Sequence, residues 1–257
     1  MKVVILAGGL GTRLREETEF KPKPMVEIGG RPIIWHIMKC YTHFGYTEFV
    51  LCLGYKGDAI RDYFLNYEIR NSDVTVTLGS RNVEIHNGHP ETGWRITLAE
   101  TGEKTMTGGR LKRVLPYLTG NRFLLTYGDA VANVNLNQVV AFHERQGKLA
   151  TVTAVHPSSR FGELSIEQNI VEVFQEKPQV NSGWINGGYF VFQREVLDMI
   201  TGDDDGLEQG LLVKLASMKQ LAVYQHDGFW QCMDTYREME LLNELWRTGE
   251  PPWLVWR

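Results

Sequence analysis

Two patterns of apolar positions recur along the chain. Lys2–Leu6 carries an unbroken β-branched and aliphatic run that stops at Gly8-Gly9, as expected of a strand covered on both faces. From Arg31 the spacing changes: Pro32 stands at a helical first turn, Ile33, Ile37, Cys40 and Phe44 share one face, and Gly45 ends the segment. This predicts a helix of about three turns. Phe49–Leu53 repeats the buried-strand pattern and Asp58–Tyr67 the helical one, so strand and helix alternate from the start.

Between Val74 and Glu100 the period shortens to two. Val74, Val76 and Leu78, then Val83 and Ile85, then Trp94, Ile96 and Leu98 alternate with polar residues around Asn-Gly and Thr-Gly turns, which predicts sheet edges or a hairpin. The wound pattern resumes with helix Leu111–Leu118, strand Arg122–Thr126, helix Asn137–Gln146 and strand Ala150–Val155. Leu164–Ile166 and Ile170–Val173 flank Gln168-Asn169 as a second hairpin, Trp184–Phe192 is a further strand, and helix Thr235–Trp246 precedes the tail Pro251–Trp256. There is no internal repeat, low-complexity tract or linker. The expected fold is α/β, a doubly wound and mostly parallel sheet with small antiparallel hairpin insertions, in a single domain spanning 1–257.

Composition narrows the function classes. At 257 residues, 43% apolar and 23% charged, the chain can bury a sizeable core, which excludes disordered and fibrous readings. With 27 Lys and Arg against 31 Asp and Glu the formal charge is −4, and no cationic block stands out, so nucleic acid is not an expected partner. Cys40, Cys52 and Cys232 are too few and too widely spaced for a disulfide framework or a CxxC zinc pair, which suits buried thiols in a reducing cytoplasm. No apolar run approaches the roughly 18 residues of a membrane span, and Val3–Ala7 is too short for a signal-peptide core. Seven tryptophans, two of them in the last five residues, exceed what a small core absorbs, which favours surface exposure and a homo-oligomer.

The most informative segment follows the first strand: Leu6-Ala7-Gly8-Gly9-Leu10-Gly11-Thr12-Arg13-Leu14. Glycines there let backbone N–H groups turn toward one point and let an anion approach, and Arg13 adds a forked cation suited to phosphate. A Walker loop would need a Lys-Ser or Lys-Thr pair that is absent, and the dinucleotide fingerprint fits Gly9 and Gly11 but finds Leu14 in place of its third glycine. A plain glycine-rich turn stays open. Downstream, Lys21-Pro22-Lys23-Pro24 holds Lys23 on a stiff, extended support that lowers its ordering cost, although the same residues would suit a solvated basic loop. Asp129 stands at the C-terminal end of the Arg122–Thr126 strand region, where open α/β sheets place ligands.

Together with that glycine loop and KPKPM, the segments TGGRLKR (Thr107 to Arg113), TYGDAV (Thr126 to Val131), FQEKP (Phe174 to Pro178), INGGYF (Ile185 to Phe190) and FWQCMDT (Phe229 to Thr235) resemble the sugar-1-phosphate nucleotidylyltransferases. TGGRLKR and the WQCMDT run are similar to the cytidylyl branch. The resemblance runs in motif order from Lys2 to the tail and implies a Rossmann-like core. It implies that the phosphate of glucose 1-phosphate attacks the α-phosphorus of CTP, giving CDP-glucose and pyrophosphate. The two reactants bring about six negative charges together. By family position the catalytic cations are Arg13, Lys23 and Lys177, with Arg13 and Lys23 on the nucleotide phosphates and Lys177 on the sugar phosphate. Leu6, Ala7, Gly8, Gly9, Gly11, Thr12, Thr107, Gly108, Gly109, Arg110 and Asp129 would bind the nucleotide, and Glu176, Lys177, Asn186 and Gly187 the sugar. Asp129 and Asp234 would hold Mg²⁺, a hard ion that prefers carboxylate and phosphate oxygens.

Several residues keep a second reading. Asp234 also suits a helix N-cap. Arg110 is expected to read O2 or N3 of cytosine, against a surface arginine on a helix over 108–118. Ala130 replaces the glycine usual after the metal aspartate, and a positive φ there would cost roughly 1 kcal/mol or more. Asp203-Asp204-Asp205 reads as a solvated loop, Tyr189 and Phe190 as core, and the histidines, without HxxxH or HExxH spacing, as structural or surface groups. The alternatives are the same fold acting on another nucleotide or sugar, and a nucleotide-sugar-binding subunit of weak activity. A dehydrogenase built on the Gly9/Gly11 loop fits poorly.

Overall fold

The structure is a computed structural model that describes residues 1–9, 11, 14–80, 82–157, 163–167, 170–175 and 183–256. Its main sheet has seven strands: β1 (Val3–Leu6), β2 (Glu48–Leu53), β3 (Arg95–Glu100), β4 (Arg122–Tyr127), β5 (Ala150–Val155), β6 (Ile185–Gln193) and β7 (Leu221–His226). They lie in the order β7-β5-β6-β4-β1-β2-β3. All neighbours are parallel except β6, which runs antiparallel to both β5 and β4. The order reverses at β1, which has β2 on one side and β4 on the other, so the crevice at its C-terminal end is a topological switch point.

Successive side chains of β1 enter two different cores. Val3 and Ile5 pack with the helix Ile33–His43, whereas Val4 and Leu6 pack with Leu111, Phe190 and the Leu207–Leu215 segment. This is the physical content of an uninterrupted apolar strand. The helix Ile33–His43 ends at Phe44, and Gly45 takes a left-handed φ of 87°. The helix expected over 111–118 starts earlier, at Thr107, and closes at Arg113; Pro116 cannot continue it, and Leu115–Tyr117 forms a 3₁₀ turn.

The alternating region divides. Asp73–Thr77 and Asn82–His86 form the expected hairpin, with Val74 opposite Ile85 and Val76 opposite Val83, all four exposed. The Trp94–Leu98 pattern instead becomes β3, the parallel edge of the main sheet. The second expected hairpin joins Glu163–Glu167 to Ile170–Gln175. Strand β7, at the opposite edge, and a short ribbon pairing Ala130–Ala132 with Trp230–Cys232 were not legible, because three-residue strands and a half-exposed edge leave little period. Tyr189 and Phe190 are buried, as expected. All three cysteines are free thiols, and among the described residues no helix is long and apolar enough to cross a membrane.

The C-terminal tryptophans turn inward, while Trp184 is exposed. Trp253 is buried and Trp256 partly so; with Trp35 and Trp246 they surround His36 at ring separations of 4.9–6.4 Å. The tail therefore closes an internal aromatic cluster, and its tryptophans are no argument for association. Trp253 Nε1 donates to His36 Nδ1 (3.4 Å), so the imidazole Nε2–H faces the Ile28 carbonyl (2.9 Å) and the ring is neutral. Burial, only partly opposed by hydrogen bonds to main-chain carbonyls, pulls its pKa down to about 4. The unfolded chain takes up this proton near pH 6.5 and the folded one near 4, so the stability from neutral His36 is complete above pH 6.5 and falls as pH drops toward 4. Urea unfolding at pH 7.5 and pH 5.0 is expected to show a loss of stability about 2 kcal/mol larger for the wild type than for His36→Gln, in which the other buried histidines still titrate.

Candidate active site

A cleft of about 760 Å³ opens at the switch point, lined by Leu6–Gly9 and Gly11 after β1, Lys23 and Pro24, Glu103–Thr107, Arg110, Tyr127–Asp129 after β4, Glu208 and Asp234. Its charged centre is built from three distant segments. Pro22 enters an extended conformation and Lys23–Met25 makes a single 3₁₀ turn, which sends the lysine side chain inward. Asp129 follows β4 after Gly128. Asp234 arrives through the short ribbon: Cys232 pairs with Ala130, and Met233 N–H donates to the Asp129 carbonyl (2.8 Å). Lys23 Nζ donates to Asp129 Oδ2 at 2.6 Å and also to Asp234 Oδ1. Burial lowers the Lys23 pKa, but the charges and hydrogen bonds of Asp129 and Asp234 outweigh it and leave the net shift upward. The ammonium therefore stays charged.

Asp234 is not the N-cap of the final helix. Thr235 is, in a capping box in which its hydroxyl accepts from Glu238 N–H and Glu238 Oε2 accepts from Thr235 N–H (2.8 Å). The same Glu238 oxygen accepts from Asp234 N–H (2.7 Å), which fixes the aspartate backbone while its carboxylate turns to Lys23. Ala130 opens its strand without a left-handed φ, so the replaced glycine carries no backbone strain.

Arg110 is buried, not a surface residue. Nη1 donates to the Leu53 carbonyl (3.0 Å) and Thr101 Oγ1 (2.8 Å), and Nη2 to the carbonyls of Gly8 (3.0 Å) and Glu103 (3.2 Å). Both terminal nitrogens are thus bonded to the protein, tying the glycine loop to the 101–105 wall. A side chain at Gly8 or Gly54 would collide with this guanidinium. Thr107 lines the cleft, but Gly108 and Gly109 turn toward the 203–206 loop, where added Cβ atoms would lie 2.6 Å from Asp205 O and 2.7 Å from Asp203 Cα. That loop is more than a solvated acidic run: Asp203 accepts from Arg113 Nε (2.9 Å) and its carbonyl from Met106 N–H (2.8 Å).

Residues 2–235 match the family described as Nucleotidyl transferase. The chain belongs to this nucleotidyl transferase family. It is 50% identical to a Glucose-1-phosphate cytidylyltransferase of Salmonella typhi and 44% identical to a Probable glucose-1-phosphate cytidylyltransferase of Bacillus subtilis (strain 168), each over 257 residues and the full length of both chains. The crystal structure of HddC from Yersinia pseudotuberculosis superposes with a TM-score of 0.69 over 95% of this chain and 99% of that one, at 22% identity, which supports the same α/β fold.

In this nucleotidyl transferase, Leu6, Ala7, Gly8, Gly9, Gly11, Lys23, Thr107, Arg110, Asp129 and Asp234 share one cleft. Asn186 reaches its edge by donating to Tyr127 Oη (3.2 Å), and Gly187 packs on Val155 beneath, with its carbonyl accepting from Trp230 Nε1 (2.8 Å). Thr12, Arg13, Glu176 and Lys177 lie outside the described residues. Sequence reasoning missed Tyr127 and Glu208, which are joined at 2.5 Å: Glu208 lies outside every motif, and Tyr127, although within TYGDAV, reads as a strand residue ahead of Asp129. Arg110→Ala leaves main-chain acceptors unpaired in a buried place and is expected to cost about 2–4 kcal/mol, read as a fall in Tm of roughly 5–10 °C by calorimetry.

Proposed function

We propose that this chain transfers the cytidylyl group of CTP to glucose 1-phosphate, giving CDP-glucose and pyrophosphate. The observation that carries the reaction class is the convergence of Lys23, Asp129 and Asp234 from three distant segments in a switch-point cleft beside a glycine loop. The choice of base and sugar rests on the two relatives of 50% and 44% identity over their whole lengths.

The reacting groups are all phosphates, so the protein's work is positioning and charge compensation. The glycine loop lets the triphosphate approach the backbone, with Lys23 and Arg13 as its cations. Lys177 holds the sugar phosphate, whose oxygen attacks the α-phosphorus in line while pyrophosphate leaves. No side chain becomes a covalent nucleophile. Glu176 and Asn186 accept and donate to sugar hydroxyls beside Gly187. Arg110 contributes to base choice through the backbone it holds: fixed at Gly8 and Glu103, the wall presents set main-chain groups to the ring.

Asp129 and Asp234 suit Mg²⁺, because both carboxylates already meet at one cation, the Lys23 ammonium, and so lie close enough for a single ion. Among the described residues no cluster of three such ligands exists, so phosphate oxygens and water would complete an octahedral shell. When bound, the ion supplies positive charge and fixes the phosphate geometry.

CTP, glucose 1-phosphate and Mg²⁺ are expected to yield CDP-glucose and stoichiometric pyrophosphate, resolved by ion-exchange chromatography; equal rates with UTP or GTP, or no pyrophosphate, would overturn the assignment. Lys23→Met, which removes the ammonium shared by the two carboxylates, is expected to lower kcat by at least about 10²-fold in the same assay. For Asp234→Asn the Mg²⁺ concentration giving half-maximal rate should rise by about tenfold or more.

A further inference from the structure

Glu208 stands on the π-helical turn Leu207–Leu211, in a stretch with no motif. Its two carboxylate oxygens accept hydrogen bonds from two different elements that line the cleft: Thr107 Oγ1, at the start of the Thr107–Arg113 helix, donates to Oε2 (2.9 Å) and Tyr127 Oη, at the end of β4, donates to Oε1 (2.5 Å). The direction of both bonds is set by what else each hydroxyl does. The Thr107 oxygen accepts from Leu207 N–H (2.8 Å), and the Tyr127 oxygen accepts from Asn186 Nδ2 (3.2 Å), so both hydroxyl protons point to the carboxylate. Asn186 Oδ1 in turn accepts from Gly188 N–H (2.9 Å). The Tyr127 ring also fills the place of a Cβ at Gly188, 2.6 Å from where that atom would sit, so its position sets that of β6. Burial and the nearby charge of Glu208 raise the Tyr127 pKa, which keeps its proton on the bridge.

We propose that Glu208 is a positioning residue that fixes the separation of the nucleotide wall, at Thr107, from the sugar wall, at Asn186, by holding the Thr107 and Tyr127 hydroxyls at once. The proposal rests on the cytidylyl-transfer reading, which places the nucleotide on one wall and the sugar on the other. A carboxylate close to the phosphates would repel them; satisfied by two hydroxyls, Glu208 serves the span of the cleft instead. Wall separation matters only to a ligand that touches both sides, and this separates Glu208 from a residue that merely supports the fold.

The test compares calorimetric Kd values for CDP-glucose, which spans the cleft, and CMP, which touches the nucleotide wall alone. Glu208→Ala should weaken CDP-glucose by about tenfold and CMP by less than about twofold. Tyr127→Phe, which removes one arm of the bridge and keeps the ring, should show the same split. Glu208→Gln, whose amide oxygen still accepts from Tyr127 and whose N–H₂ can donate to Thr107, should restore most of the CDP-glucose affinity. Equal losses for both ligands, or none for either, would overturn the proposal. Failure of the wild-type chain to bind CDP-glucose would overturn the cytidylyl reading and the proposal with it, and shows itself before any variant is made.

Discussion

Two carboxylates brought together in a cleft repel, and a cation lying between them offsets that repulsion. Here that cation is the Lys23 ammonium, shared by Asp129 and Asp234 and mostly buried. Desolvation works against its charge and the two acids restore it, so neither side of the pair is stable in this position without the other. A buried ion pair contributes little to stability once its desolvation is counted. On the proposed reading, its value lies in presenting a compact set of charges to anionic phosphates, held in place before they arrive.

The scaffold serves that charge set through hydrogen-bonded strands. Asp129 continues β4, one of the parallel neighbours of β1, and the short ribbon carries Asp234 to it by main-chain register. Glu238 then holds the Asp234 N–H while capping the final helix, so one side chain both starts a helix and orients the cleft. Lys23 is fixed from the other side by its prolines. Each group is positioned by backbone whose conformation is restricted, which limits the entropy lost when substrate binds.

Arg110 gives the second constraint. A guanidinium inside a protein needs its donors satisfied, and here main-chain carbonyls and one threonine hydroxyl do so. Gly8 and Gly54 have no side chain because the guanidinium occupies that space. The glycine loop is thus shaped for a buried arginine as well as for the phosphate that the proposed function assigns to it. Local sequence suggests only the second reason, since the arginine stands 102 positions away.

The alternation of apolar runs determined the wound α/β architecture and nearly every central strand, because a strand buried on both faces must be apolar at consecutive positions. The glycine loop, the proline-supported Lys23 and the motifs around Asp129, Thr107 and Asn186 were likewise legible, since each is a local backbone requirement. Tertiary structure alone decided that Arg110 faces the main chain, that Gly108 and Gly109 pack on the 203–206 loop, that the tail tryptophans close over His36, and that Glu208 joins Tyr127 to Thr107. The reason is common to all four. Local spacing encodes which residues share a face of a helix or strand, but a contact between segments far apart in the chain depends on the order in which strands assemble, and no local period carries that information.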